Sequence, residues 1–125
     1  MASKTGGAQG LKCLSVQQPF AQLLSVGLKR VENRDWATPY RGPVVIHAGL
    51  ARARVNSFVG QFGANRLDAG ALSFGALVGV ADLADVVRMH EGLEGDLTAV
   101  GPWCWVFDNP RLLPTPVPSS GKLKL

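Results

Sequence analysis

Apolar positions along the chain switch between a period near two and a period near 3.6, the marks of strands and helices in turn. Leu11–Val16 has strand-like content and ends at Gln17-Gln18-Pro19. Pro19 suits the first turn of a helix, where its missing N–H costs nothing. Phe20, Leu23, Leu24 and Val26 follow at near-helical spacing, and Gly27 stands where a left-handed cap is wanted. From Arg30 to Trp36 the pattern returns to strand, a Pro/Gly-punctuated turn covers 38–43, and Val44–Ala48 reads as a short buried strand. Residues 50–66 read as a helix with weak points at Gly60 and Gly63.

The second half is more strand-rich. Phe74–Val87 is the longest apolar stretch, and its β-branched residues with interspersed glycines predict a long, bent strand. Residues 89–100 are acidic and Gly-broken, which suggests a loop or one helical turn. Trp103–Phe107 is a dense aromatic strand expected to end in a turn at 108–110. The Pro-rich run 112–118 belongs at a sheet edge or a bulge, and 121–125 alternates like a terminal strand. About six short strands with two or so short helices make an α+β fold, and a partly open β-barrel is the economical arrangement.

Composition narrows this further. With 46% hydrophobic and 18% charged residues, three Trp and five Phe, the chain supports one real core. We expect a single domain over 11–125 behind a flexible tail of residues 1–10, which holds no apolar signal segment. No run of about 18 apolar residues exists to cross a membrane, and the cytoplasm is the default compartment. Cys13 and Cys104 match no metal-ligand spacing; each reads as a small core hydrophobe, with a disulfide between them left open.

Charge is uneven. Residues 1–66 carry nine Lys or Arg against two acidic residues, whereas 67–125 carry four against seven. The basic half, with Arg30, Arg34, Arg41, Arg52, Arg54 and Arg66, suits phosphate contact, since a guanidinium grips phosphate oxygens bidentately. A solvated basic surface gives the same count.

The densest chemistry is Gly27-Leu-Lys-Arg-Val-Glu-Asn-Arg34, which follows the first helix and opens a strand. Alternation puts Glu32 and Arg34 on one face and Val31 and Asn33 on the other. Lys29 sits at the helix–strand corner, where alternation does not fix its direction. Converging in a barrel mouth, the three would form a polar site in which Glu32 positions both cations; the same trio would also serve as a brace between helix and barrel. Gln17 and Gln18 can read a base edge or a phosphate, or satisfy turn backbone. Arg41 offers a phosphate grip in the Pro/Gly turn. His47, inside an apolar run, fits a satisfied core histidine as well as a ligand contact. Trp103 and Trp105 face the same side, as core residues or as a stacking surface for a base. Asp82 and Asp85 fall on opposite faces of a regular strand, which disfavours a shared-proton pair and a two-carboxylate metal site. No metal or cofactor is expected.

Gly27-x-Lys29-x-x-Glu32-x-Arg34 resembles the G-x-K-x-x-E-x-R signature of the ASCH domain family, a PUA-like fold. Leu14-Ser-Val-Gln-Gln-Pro-Phe-Ala21 resembles the family's opening strand and turn, which brings Ser15 among the candidate ligand-binding residues with Gln17 and Gln18. Tyr40-Arg-Gly-Pro43, Val45-Ile-His-Ala48, the 79–86 strand and Gly101–Phe107 are similar to further blocks of the small stand-alone bacterial branch, in the family's order. The resemblance implies a PUA-like, partly open barrel that binds nucleic acid, RNA before DNA, or a nucleotide. It also implies two alternatives. One is a hydrolase, a ribonuclease or an amidohydrolase acting on N4-acylated cytidine, with Lys29 and Glu32 as its catalytic pair. The other is a sensor of a modified base. The amidohydrolase branch uses a Lys, a Thr three residues later and a distant Glu. Lys29 matches the Lys, but Glu32 stands where the Thr would be, and Glu91 or Glu94 would have to supply the distant acid. A carboxylate is a poor substitute for a hydroxyl nucleophile.

Overall fold

The computed structural model describes residues 12–62, 72–89 and 100–120, with side chains omitted for 59–62. The expected tail, the 90–99 part of the acidic segment, the end of the second helix beyond Phe62 and the expected 121–125 strand lie outside the described residues. In chain order the elements are β1 (Cys13–Val16), α1 (Phe20–Val26), β2 (Val31–Arg34), β3 (Gly42–Ala48), α2 (Ala53–Phe62), β4 (Ala76–Arg88) and β5 (Trp103–Pro118).

The strands form one sheet in the order β1-β3-β4-β5-β2. β1 pairs parallel to β3, and the other pairings are antiparallel. Arg34 on β2 donates to the backbone carbonyl of Ser15 on β1, so the two edge strands of the sheet meet through a side chain. This closure without a backbone ladder makes the partly open barrel of the sequence expectation.

One face of the curled sheet carries the core. Leu14 and Val16 of β1, Val44, Ile46 and Ala48 of β3, and Trp105 and Phe107 of β5 are buried in a single cluster, as period-two alternation requires. β4 contributes Ala76 and Val78, then Ala81 and Leu83, so its inward parity slips by one residue in the middle. The register shifts of β4 against β5 produce that slip, and they give the bend its glycines predicted. Val31, Cys104, Val87 and Val106 form a smaller cluster on the opposite face.

α1 packs its Ala21, Leu24 and Ser25 side against the sheet. Gly79 permits this approach: a Cβ there would collide with the Ser25 side chain and stand 2.9 Å from the Arg111 carbonyl oxygen. Gly27 then ends the helix at φ 85°, and the amides of Leu28 and Lys29 fold back on the Leu23 carbonyl at 2.9 and 3.1 Å.

The turn expected at 108–110 is absent; β5 runs through it. Asn109 takes a positive φ of 50° in a bulge, where two residues of β5 lie opposite one of β4. Asp82 holds the bulge in line, accepting from Asn109 Nδ2 at 3.1 Å and from Arg111 at 3.2 Å. The Pro-rich 112–118 segment pairs with β4 on one side and with no described strand on the other, the edge position its prolines demand. Cys13 and Cys104 are both free and buried, which resolves the open disulfide question; burial pushes the Cys13 thiol up.

Candidate functional site

The corner after Gly27 decides where Lys29 goes. It turns inward, is only 4% exposed, and lies 5.5 Å from the Phe20 ring centre. Its ammonium donates to the Val31 carbonyl and stands 3.7 Å from Glu32 Oε1. Glu32 Oε2 accepts the Arg34 guanidinium at 3.0 Å. The structure thus brings Lys29, Glu32 and Arg34 together, with the carboxylate between two cations. Burial pushes the Glu32 carboxyl above its ordinary range, and the charges of Arg34 and Lys29 pull back against that rise.

Arg34 is the member of the trio with capacity to spare. One terminal nitrogen serves both Glu32 and the Ser15 carbonyl. Its Nε is buried and has no hydrogen-bond partner among the described residues. The guanidinium also lies 5.4 Å from the ring centre of Trp36, which is 43% exposed. Trp36 meets Trp105 edge to face at 5.7 Å, and Trp105 Nε1 donates to the Trp36 carbonyl at 2.9 Å. Trp105 is therefore core, fully buried, and it positions the exposed indole beside Arg34.

The sheet register extends this group along one rim of the barrel. Val86, Trp105 and Glu32 form one transverse row across β4, β5 and β2. Arg88, Trp103 and Arg34 form the next, at the strand ends. Direct partners in antiparallel pairs project from the same face, so both rows present side chains together. Arg88 is exposed and its guanidinium lies 4.6 Å from the Trp103 ring centre.

The other sequence candidates are distributed elsewhere. Gln18 is fully buried and spent on backbone, donating to the Ser73 carbonyl and accepting from the Gln22 amide, both at 2.9 Å. Gln17 is exposed. The Ser15 hydroxyl is 3.0 Å from His47 Nδ1, and His47 Nε2 is 2.9 Å from the Ser119 carbonyl, so this histidine has partners on both nitrogens. Arg41 braces its own turn through the Thr38 and Tyr40 carbonyls and pairs with Asp85. Asp82 and Asp85 share no partner. Glu91 and Glu94 lie outside the described residues. Among the described residues no group of three His, Cys, Asp or Glu side chains is placed to hold a metal, and no helix is long and apolar enough to cross a membrane.

Three contributors were missed in the sequence. Trp36 lies just past β2, which ends at Arg34 and not at Trp36 as the pattern predicts, so the bend at 35–36 and the contact with Trp105 place its indole beside Arg34. Asn33 occupies an unspecified position of the octet, yet its Oδ1 accepts the amides of Val100 and Gly101 at 2.9 Å each and so sets the start of β5. Arg88 joins the rim only through strand register, which no local pattern displays. On the other side of Lys29 lies a pocket of about 50 Å³ lined by Leu24, Gly27, Arg30, Phe107, Asp108 and Pro110. It has room for a few waters and not for a nucleobase.

Comparison with known proteins bears on this arrangement. The ASCH domain matches residues 14–102, which includes the whole octet and most of the barrel. Human activating signal cointegrator 1 is 32% identical over 130 residues, covering 95% of this chain and 22% of that protein. The mouse protein of the same name is 55% identical over a 42-residue stretch. The chain therefore spans about a fifth of the length of the human relative. Among solved structures, the S128A mutant of ZmASCH from Zymomonas mobilis superposes with a TM-score of 0.50 at 15% identity, covering 85% of this chain and 72% of that one. That likeness concerns the fold, and it agrees with the mixed, partly open sheet described above. By the domain match, the chain belongs to the ASCH domain family.

Proposed function

We propose that this domain binds nucleic acid, RNA before DNA, at the barrel rim around Arg34. The observation that carries the reading is the Arg34 guanidinium held by Glu32 and set beside the half-exposed Trp36, with an Nε–H that has no partner among the described residues. Lys29 and Glu32 hold Arg34 in place, and Arg34 supplies a positioned cation beside an aromatic face. A guanidinium next to an indole suits a phosphate and a base at once. The excess of Lys and Arg in residues 1–66 supplies long-range attraction. The preference for RNA rests on the family resemblance. The two free, buried cysteines fit work in a reducing compartment, the cytoplasm.

Gel shift of short single- and double-stranded RNA and DNA at two salt concentrations tests this. Retardation at low salt should fade at higher salt, with log K falling by about 0.7 per phosphate contacted on a single strand for each tenfold rise in salt. Absence of retardation at low salt would sink the proposal. Arg34→Lys keeps the charge but loses the Nε–H and the fork, and should weaken binding by roughly tenfold.

A second reading rests on Glu32, whose raised pKa in a cationic pocket suits a general base, with Lys29 stabilising developing negative charge. It would make the domain a hydrolase of RNA or of N4-acylated cytidine. Turnover of a labelled RNA or an acylated cytidine, unchanged in Lys29→Ala and Glu32→Ala, would remove the octet from any such chemistry. A sensor for one modified base would need an enclosed space larger than the pocket beside Lys29.

A further inference from the structure

We infer that the rim is built for an unpaired strand, with the cation–aromatic pair Arg88–Trp103 as its second contact point. The inference rests on the nucleic-acid reading above and adds strand form and a residue that lies outside the octet. Register places Arg88, Trp103 and Arg34 in one row across three strands, so an indole is bracketed by two guanidiniums. Adjacent strands are about 4.8 Å apart, which sets the two arginine backbones roughly 10 Å from each other. Arg88 lies against the Trp103 ring at 4.6 Å, and Arg34 against Trp36 at 5.4 Å. The rim therefore carries two cation–aromatic pairs side by side.

Each pair offers a flat face and a positive charge together. Arg88 is exposed, and the indole 4.6 Å from its guanidinium is itself packed against the core. Trp36 is half-exposed and held from behind by Trp105. Bases stack on aromatic rings and on guanidinium planes only when their faces are free, as in single strands; in a duplex those faces are covered. Phosphates between two stacked bases would lie within reach of the cations. A surface meant for duplex backbone needs charge alone, and lysines on an open face would serve it.

Fluorescence anisotropy with an end-labelled decanucleotide, as single-stranded RNA, single-stranded DNA and the matching duplexes, separates the possibilities. The wild-type chain should bind single strands at least several-fold more tightly than duplex at the same salt. Arg88→Lys keeps the charge and loses the plane, and Arg88→Ala loses both. Each should weaken single-strand binding by about tenfold, the size of one base stack, and leave duplex binding nearly unchanged in the lysine variant. Because Arg88 is exposed, both variants should keep the wild-type circular dichroism spectrum. Equal binding of duplex and single strand, or wild-type affinity in Arg88→Lys, would overturn this inference and leave the nucleic-acid reading standing. No binding of any oligonucleotide at low salt would refute both.

Discussion

At the scale of single residues, Glu32 and Asp82 show how environment sets opposite behaviour in two carboxylates. Glu32 is raised above its ordinary value of 4.5 by burial, against the pull of Arg34 and Lys29. The native state therefore binds its proton more tightly than the unfolded chain does. Stability from this group is complete below pH 4.5 and is lost as pH rises through the folded value. Asp82 is lowered from 3.8 by hydrogen bonds from Asn109 and Arg111, so its contribution is present at neutral pH and lost as pH falls. Urea unfolding of wild type and Glu32→Gln across pH 4 to 8 isolates the first effect. The stability difference, wild type minus variant, should decline as pH rises; a flat or rising difference would contradict the burial argument. The same residue shows what alternation reveals and what it hides. Spacing alone puts Glu32 and Arg34 on one face. It says nothing of Lys29, whose inward turn depends on the left-handed Gly27 and on Phe20 across the corner.

At the scale of elements, local patterns located most strands and α1, because burial on one face imposes the period. They failed where two strands act on each other. The expected turn at 108–110 carries ordinary turn residues, but Asp82 on the neighbouring strand captures Asn109 and Arg111 and keeps β5 extended. Arg88 was invisible for the same reason, since three register shifts lie between β4 and β5. The contact of α1 with the sheet is the opposite case, written into one glycine. Gly79→Ala places a Cβ against Ser25 and 2.9 Å from the Arg111 carbonyl oxygen. The helix or β5 must shift, at a cost of roughly 1–3 kcal/mol, the usual range for overpacking. Thermal unfolding should show a drop of several degrees. An unchanged Tm would mean that α1 is not seated as tightly as this geometry requires. A shift of α1 would also move Gly27 and Lys29, so the same variant should weaken oligonucleotide binding.

At the scale of the whole molecule, the barrel is closed by a side chain. β1 and β2 are the two edges of the sheet, and the bond from Arg34 to the Ser15 carbonyl links them. The residue proposed to hold ligand is thus the one that holds the seam, which couples binding to the order of the edge strands. Arg34→Met tests the coupling without introducing a cavity as large as alanine would leave. It removes the donor to Ser15 and leaves Glu32 facing Lys29 alone. Hydrogen exchange should then speed up in β1 and β2. The central pair β3 and β4, whose ladder does not depend on the seam, should keep its protection. Added oligonucleotide should slow exchange at the seam in wild type and not in Arg34→Met. Uniform loss of protection across all strands would instead make Arg34 a general stability residue. Unchanged exchange at the edges would mean that α1 and the core close the barrel without it, and Arg34 would then be free to serve ligand alone.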